Sequence, residues 1–138
     1  MKPNKSIPQE LQKIISLHTG YDMMSNLYDR KQIYANQRQL YCMILANEGF
    51  SLTSIASTID KHHSTIITSI QAAEDNLATD NEYKQLYKLI MADLKDAIDN
   101  LNSSFLTGFQ AQLNEARRKL DKQIESIDII INELKNKK

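Results

Sequence analysis

Leu106, Leu113, Leu120, Ile127 and Leu134 recur every seven residues, and Gln110, Arg117, Ile124 and Ile131 fall between them at the same interval. Together they write an a/d heptad pattern, which an α-helix presents as one stripe. No other feature of the chain constrains its fold as strongly. A lone amphipathic helix has nothing on which to bury such a stripe, so a partner surface is required. The stripe is uneven. Gln110 and Arg117 put polar groups at a positions, whereas Ile124, Ile127, Ile131 and Leu134 form a continuous apolar seam. Ile129 and Ile130 widen the apolar face and favour packing on more than one neighbour. Leu113, Leu120, Ile124, Ile127, Ile131 and Leu134 are therefore the residues expected to carry oligomerisation, with a homodimer the simplest product. Upstream, Tyr83, Tyr87, Ile90, Leu94, Ile98 and Leu101 advance in steps of four and three, which predicts another helix of roughly 20 residues. Asn102-Ser103-Ser104 and Gly108 interrupt the two. Either they fold back on each other as an antiparallel hairpin around residues 102–108, or the last helix pairs with a second chain as a coiled coil.

The rest of the composition agrees with helices. The 138 residues include three glycines and two prolines, well below the roughly 12% that the pair usually contributes. An all-β protein with many tight turns needs more of both, so the expected class is all-α. The length suits one compact domain, or a small domain with an appendage. A single cysteine excludes an intrachain disulfide framework and any Cys-rich zinc site. No apolar run approaches the ~18 residues of a membrane span. Met1-Lys2-Pro3-Asn4-Lys5 has no apolar segment behind it, so no signal peptide is expected. The expected location is the cytoplasm, in association with the nucleoid, with no membrane partner.

Chemistry is sparse. Gly20, Gly49 and Gly108 are too far apart for a phosphate-binding loop of the GxGxxG or GxxxxGK type. Cys42 lies in an apolar helical segment and reads as a structural thiol. His62 and His63 are adjacent, whereas two metal ligands on one helix face need i,i+4 spacing. No acid–base pair stands out from the scattered carboxylates. The expectation is a protein without cofactor, metal or catalytic residues.

The chain divides near residues 79–81, into a region 1–79 of short segments and a region 80–138 of long ones. Ser6-Ile7-Pro8-Gln9 predicts a helix start with Ser6 as cap, Leu11, Ile14 and Ile15 as the inner face, and Gly20 as the stop. Tyr21, Met24, Leu27 and Tyr28 mark one face of a short segment, and residues 29–36 a loop or helix entry. Leu40, Tyr41, Met43 and Ile44 mark a helix that ends at Asn47-Glu48-Gly49. A short helix from Ser51 then buries Leu52, Ile55, Ala56 and Ile59. A tight turn at Asp60-Lys61-His62 leads into a helix over residues 63–78, with Ile66, Ile67, Ile70, Ala73 and Leu77 as its apolar face. Two short helices across such a turn make the helix-turn-helix pattern, although an ordinary helical corner has the same spacing.

The segment from Ile55 to Ser69 resembles the signature of the C-terminal DNA-binding domain of the bacterial chromosomal replication initiator DnaA. Ile55, Ala56, Ile59, Asp60, Lys61, His63, Ser64, Thr65, Ile66 and Ser69 fill the places of that signature. Arg38-Gln39-Leu40 resembles the family's entry to its long central helix. Ser51-Leu52 resembles its Ser-Leu-Pro entry to the motif, with Thr53 in place of the Pro. His62 stands where the family usually has an Asp that accepts from a base, and Ala72 where it has a charged residue. The resemblance covers roughly residues 7–90, without the family's ATPase module and without the heptad tail. It implies a helix-turn-helix bundle that binds double-stranded DNA, with the start of the second helix in the major groove. Lys61, His63, Ser64 and Thr65 carry over as DNA contacts, and Arg30, with Lys31 beside it, falls where the family inserts an arginine into the minor groove. Arg38, Thr53, His62 and Thr68 complete the expected set.

The formal net charge is zero, from 17 basic and 17 acidic residues, which at first sight opposes a polyanionic partner. Its distribution is less even. Residues 30–73 hold Arg30, Lys31, Arg38 and Lys61 against Glu48 and Asp60, while residues 76–138 hold ten charges of each sign. A weakly basic reading head on a balanced stalk is the expectation. It predicts sequence-specific double-stranded DNA binding in replication or transcription control, of the kind a phage or mobile element encodes. The other reading is a protein-interaction module that keeps the helix-turn-helix only as a fold and binds a protein partner through its long helices.

Overall fold

The structure, a computed structural model, describes residues 3–136. Among them it is all-helical and contains no strand. The order is α1 (Ile7–Thr19), a 3-10 turn (Met24–Asn26), α2 (Gln32–Asn47), α3 (Leu52–Thr58), α4 (His63–Thr79) and α5 (Asn81–Asn136). No helix is long and apolar enough to cross a membrane among the described residues.

Two compact units divide the chain, Met1–Ile98 and Asp99–Lys138. In the first, α2 is the central element and packs against α1, α3 and α4. Leu40, Tyr41, Cys42, Met43, Ile44 and Leu45 are consecutive and all buried, as expected for a helix covered on every side. Around them lie Leu11 and Ile15 of α1, Ile55 and Ala56 of α3, and Ile66 and Ala73 of α4. Tyr83, Ile90 and Leu94, on the first turns of α5, complete this core. The compact unit therefore runs past the 79–81 boundary expected from the sequence. Asp80 separates the helices, but the apolar stripe that follows it belongs to the same core.

Local punctuation is mostly as the residues dictate. Gly20 ends α1 at φ 79° and Gly49 follows α2 at φ 98°, both in the left-handed region that favours glycine. Ser6 holds the N-cap position of α1 but makes no side-chain cap bond, because its backbone is already helical (φ −81°, ψ −15°). In the segment after Gly20 the buried residue is Met23, while Tyr21, Met24 and Tyr28 are exposed. Ser16 fixes this entry by accepting from the Met23 amide at 2.9 Å.

The second unit is helical through Asn136. The interruption expected at residues 102–108 is absent, and so is the antiparallel hairpin. α5 continues through Ser103, Ser104 and Gly108. A single glycine costs a helix only about 1 kcal/mol, and the Thr107 hydroxyl bonds the Ser103 carbonyl at 2.9 Å, within the helix. Every described side chain from Asn102 onward is exposed, including the heptad residues Leu113, Leu120, Ile124, Ile127, Ile131 and Leu134.

Candidate nucleic-acid interface

Of the expected DNA contacts, Lys61 and His62 lie in the connection Ile59–His62 between α3 and α4, and His63, Ser64, Thr65 and Thr68 lie on α4 itself. Ser51 caps α3 by accepting from the Ser54 amide at 3.1 Å. Ile55, Ala56 and Ile59 are buried, which anchors the short helix. Asp60 then adopts φ 52°. Asp is among the few side chains that enter this region at modest cost, and the turn closes without a glycine. His62 caps α4: its Nδ1 accepts from the Ser64 amide at 3.2 Å and lies 2.8 Å from the Ser64 hydroxyl. The His62 and His63 rings stack at 5.0 Å. Where the resemblance implies a base contact, His62 thus commits Nδ1 to the start of its own helix.

His63, Ser64, Thr65 and Thr68 are exposed on α4, and Thr53 is exposed on α3. Thr68 bonds back to the Ser64 carbonyl at 3.2 Å. A shallow groove of about 300 Å³ runs between Gln39 and the flank of α4 formed by Ser64, Thr65, Thr68, Ser69 and Ala72. Its lining is rich in hydroxyls and carries no charged side chain.

Tyr28 joins the loop before α2 to this turn. Its hydroxyl donates to Asp60 Oδ2 at 2.5 Å, and Lys61 Nζ sits 4.0 Å from the centre of its ring. The hydrogen bond to Asp60 is the main reason the Tyr28 pKa is raised. Arg30 and Lys31 are exposed on the same loop. Arg38 is differently employed: its two terminal nitrogens donate to the carbonyls of Asn26 (3.1 Å) and Asp29 (2.9 Å). It braces the loop from below, and burial lowers its pKa. Lys61 is also held below its ordinary pKa, by desolvation first and then by the nearby Arg38 charge. The Asp29 carboxylate acts in the opposite direction on Arg38, and the Asp60 carboxylate on Lys61.

Burial pushes the Cys42 thiol up to about 12, far from the low values of reactive cysteines. Among the described residues no group of three or more His, Cys, Asp or Glu is arranged to hold a metal ion. Sequence reasoning missed two features of the region. Tyr28, which the spacing groups with Tyr21, Met24 and Leu27 on one face, and Ile67, which it places on the apolar face of α4, are both exposed. No protein-family model, curated protein or solved structure matches the chain.

Proposed function

We propose that the chain is a sequence-recognising, double-stranded DNA-binding protein in which α3 and α4 act as a helix-turn-helix. The observation that carries this reading is the Tyr28 bridge. It ties the loop bearing the exposed Arg30 and Lys31 to the Asp60-Lys61 turn that leads into α4, whose exposed first turn bears hydroxyls. Such an N-terminus suits both phosphate and base-edge contacts. Lys61, Arg30 and Lys31 would meet phosphates or the minor groove. His63, Ser64 and Thr65 would meet base edges, with Thr53 on α3 against the backbone. Arg38 and His62 act as positioning residues, one for the loop and one for the helix. The exposed seam of α5 would pair two chains, so that two weak half-sites act together.

Random-sequence selection followed by a mobility-shift assay tests this. The wild-type chain is expected to enrich one motif, and the double variant Lys61→Ala/Thr65→Ala to bind it at least ten-fold more weakly. Failure to enrich any motif rejects the reading. A second reading, a protein-interaction module, draws on the exposure of Phe105, Leu106, Phe109 and the heptad residues of the second unit. Salt separates the two. Phosphate-driven binding weakens steeply as salt rises, whereas association through Ile124, Ile127 and Ile131 does not.

A further inference from the structure

We infer that α4 carries a second tier of base-reading side chains, and that Ile67 recognises the 5-methyl group of a thymine. The inference rests on the DNA-binding reading above and extends it beyond the start of the helix.

Ile66 and Ala73 are both 0% exposed and define the core-facing side of α4, whereas Ile67 is 41% exposed. One residue step turns a helix by about 100°, which carries Ile67 off the core side. Its neighbours one turn away on that flank are His63 and Gln71, and beside it run Ser64, Thr68 and Gln71 at i, i+4 and i+7. All four are exposed.

Single exposed apolar residues are common and by themselves mean little. Here the position is what counts. From His63 to Ala73 no residue is Asp, Glu, Lys or Arg, and Glu74 and Asp75, both exposed, follow immediately. Carboxylates set against phosphates repel, so the change at Glu74 marks how far the helix can lie in a groove. The uncharged face from Ser64 to Gln71 spans about 10 Å along the helix, or roughly three base-pair steps of 3.4 Å. Ser64, Thr68 and Gln71 can all hydrogen-bond base edges, and Gln is suited to adenine. Ile67 has no hydrogen bond to offer. The one base feature in the major groove that an aliphatic side chain can read is the thymine methyl.

The test uses the full chain and the best duplex that the wild type enriches from a random pool. Each thymine is replaced in turn by deoxyuridine, which removes only the methyl group. One such replacement is expected to weaken wild-type binding roughly four-fold, the value of about 0.8 kcal/mol for one buried methyl-sized group. Ile67→Ala is expected to bind the thymine duplex correspondingly less well and to be insensitive to deoxyuridine at that one position. It should keep the wild-type response at every other thymine and the wild-type melting temperature. Equal sensitivity of wild type and Ile67→Ala at every position overturns the inference while leaving DNA binding intact. A wild type that enriches no motif overturns the DNA-binding reading itself, and this inference with it.

Discussion

Tyr28 holds two consecutive residues of the α3–α4 connection at once, Asp60 by its hydroxyl and Lys61 by its ring. The two contacts separate by substitution. Tyr28→Phe removes the hydrogen bond and keeps the aromatic face under the ammonium, whereas Tyr28→Ala removes both. In the DNA-binding reading, Tyr28→Ala is expected to weaken binding to the selected duplex by about two- to five-fold, the range of an exposed cation–π contact, and Tyr28→Phe by less. Fluorescence anisotropy measures the difference. Cys42 is the opposite kind of residue, fully buried and chemically quiet. Its thiol is raised from 9.0 to about 12, so in the folded chain it stays protonated while an unfolded chain would already ionise. Its contribution to stability is complete below pH 9, declines as pH rises from there, and is lost above about 12. Tyr41 and Tyr83 are raised by burial and act in the same direction from 10.0 upward. Urea midpoints are therefore expected to fall on the alkaline side, and Cys42→Ala to flatten the first part of that fall, between pH 9 and 10.

At the scale of the helix, α4 begins on an unusual cap. Asn, Asp, Ser and Thr are the preferred residues there, and His62 does the same work with Nδ1. His62→Ala leaves the Ser64 amide without its acceptor and is expected to cost about 1 kcal/mol by urea denaturation. His62→Asp keeps an acceptor and adds a negative charge where the helix dipole favours it, worth about 0.3–1 kcal/mol, so the expected order of stability is Asp, His, Ala. The bounds of α3 and α4 were readable because a cap residue, an apolar period and a turn coincide there. Side-chain direction was less readable. Ile66 and Ile67 are adjacent and chemically identical, and only packing against α2 decides which one is buried. Arg38 shows the same gap for charge: its type suits DNA, but its neighbours Asn26 and Asp29 claim it. For α5 the polar stretch at residues 102–108 looked like a break. Serines and one glycine are tolerated within a helix, and nothing in the pattern distinguishes tolerance from termination.

For the whole chain, the exposed seam of the second unit is the surface proposed to pair two chains. Ile127 and Ile131 are 55% and 43% exposed, with Ile124 at 56%. About half of each side chain is still exposed, so covering it in a second chain recovers about half of the 1.5–3 kcal/mol for complete burial, or roughly 0.8–1.5 kcal/mol each. In the paired reading the wild-type chain is expected to sediment as a dimer and Ile127→Lys/Ile131→Lys as a monomer in sedimentation equilibrium. In the DNA-binding reading, single half-site binding survives and the gain from paired half-sites is lost. A persistently dimeric double variant rejects the seam as the contact. The order of these parts along the chain has its own consequence. During synthesis the core of the first unit, which ends at Ile98, emerges from the ribosome before Ile124 does. At the usual elongation speed of about 5–20 residues per second, the interval is about one to five seconds. A small helical core closes its local contacts in microseconds to milliseconds. In the paired reading each head therefore folds as a solitary nascent chain, and the joining surface comes into being only afterwards.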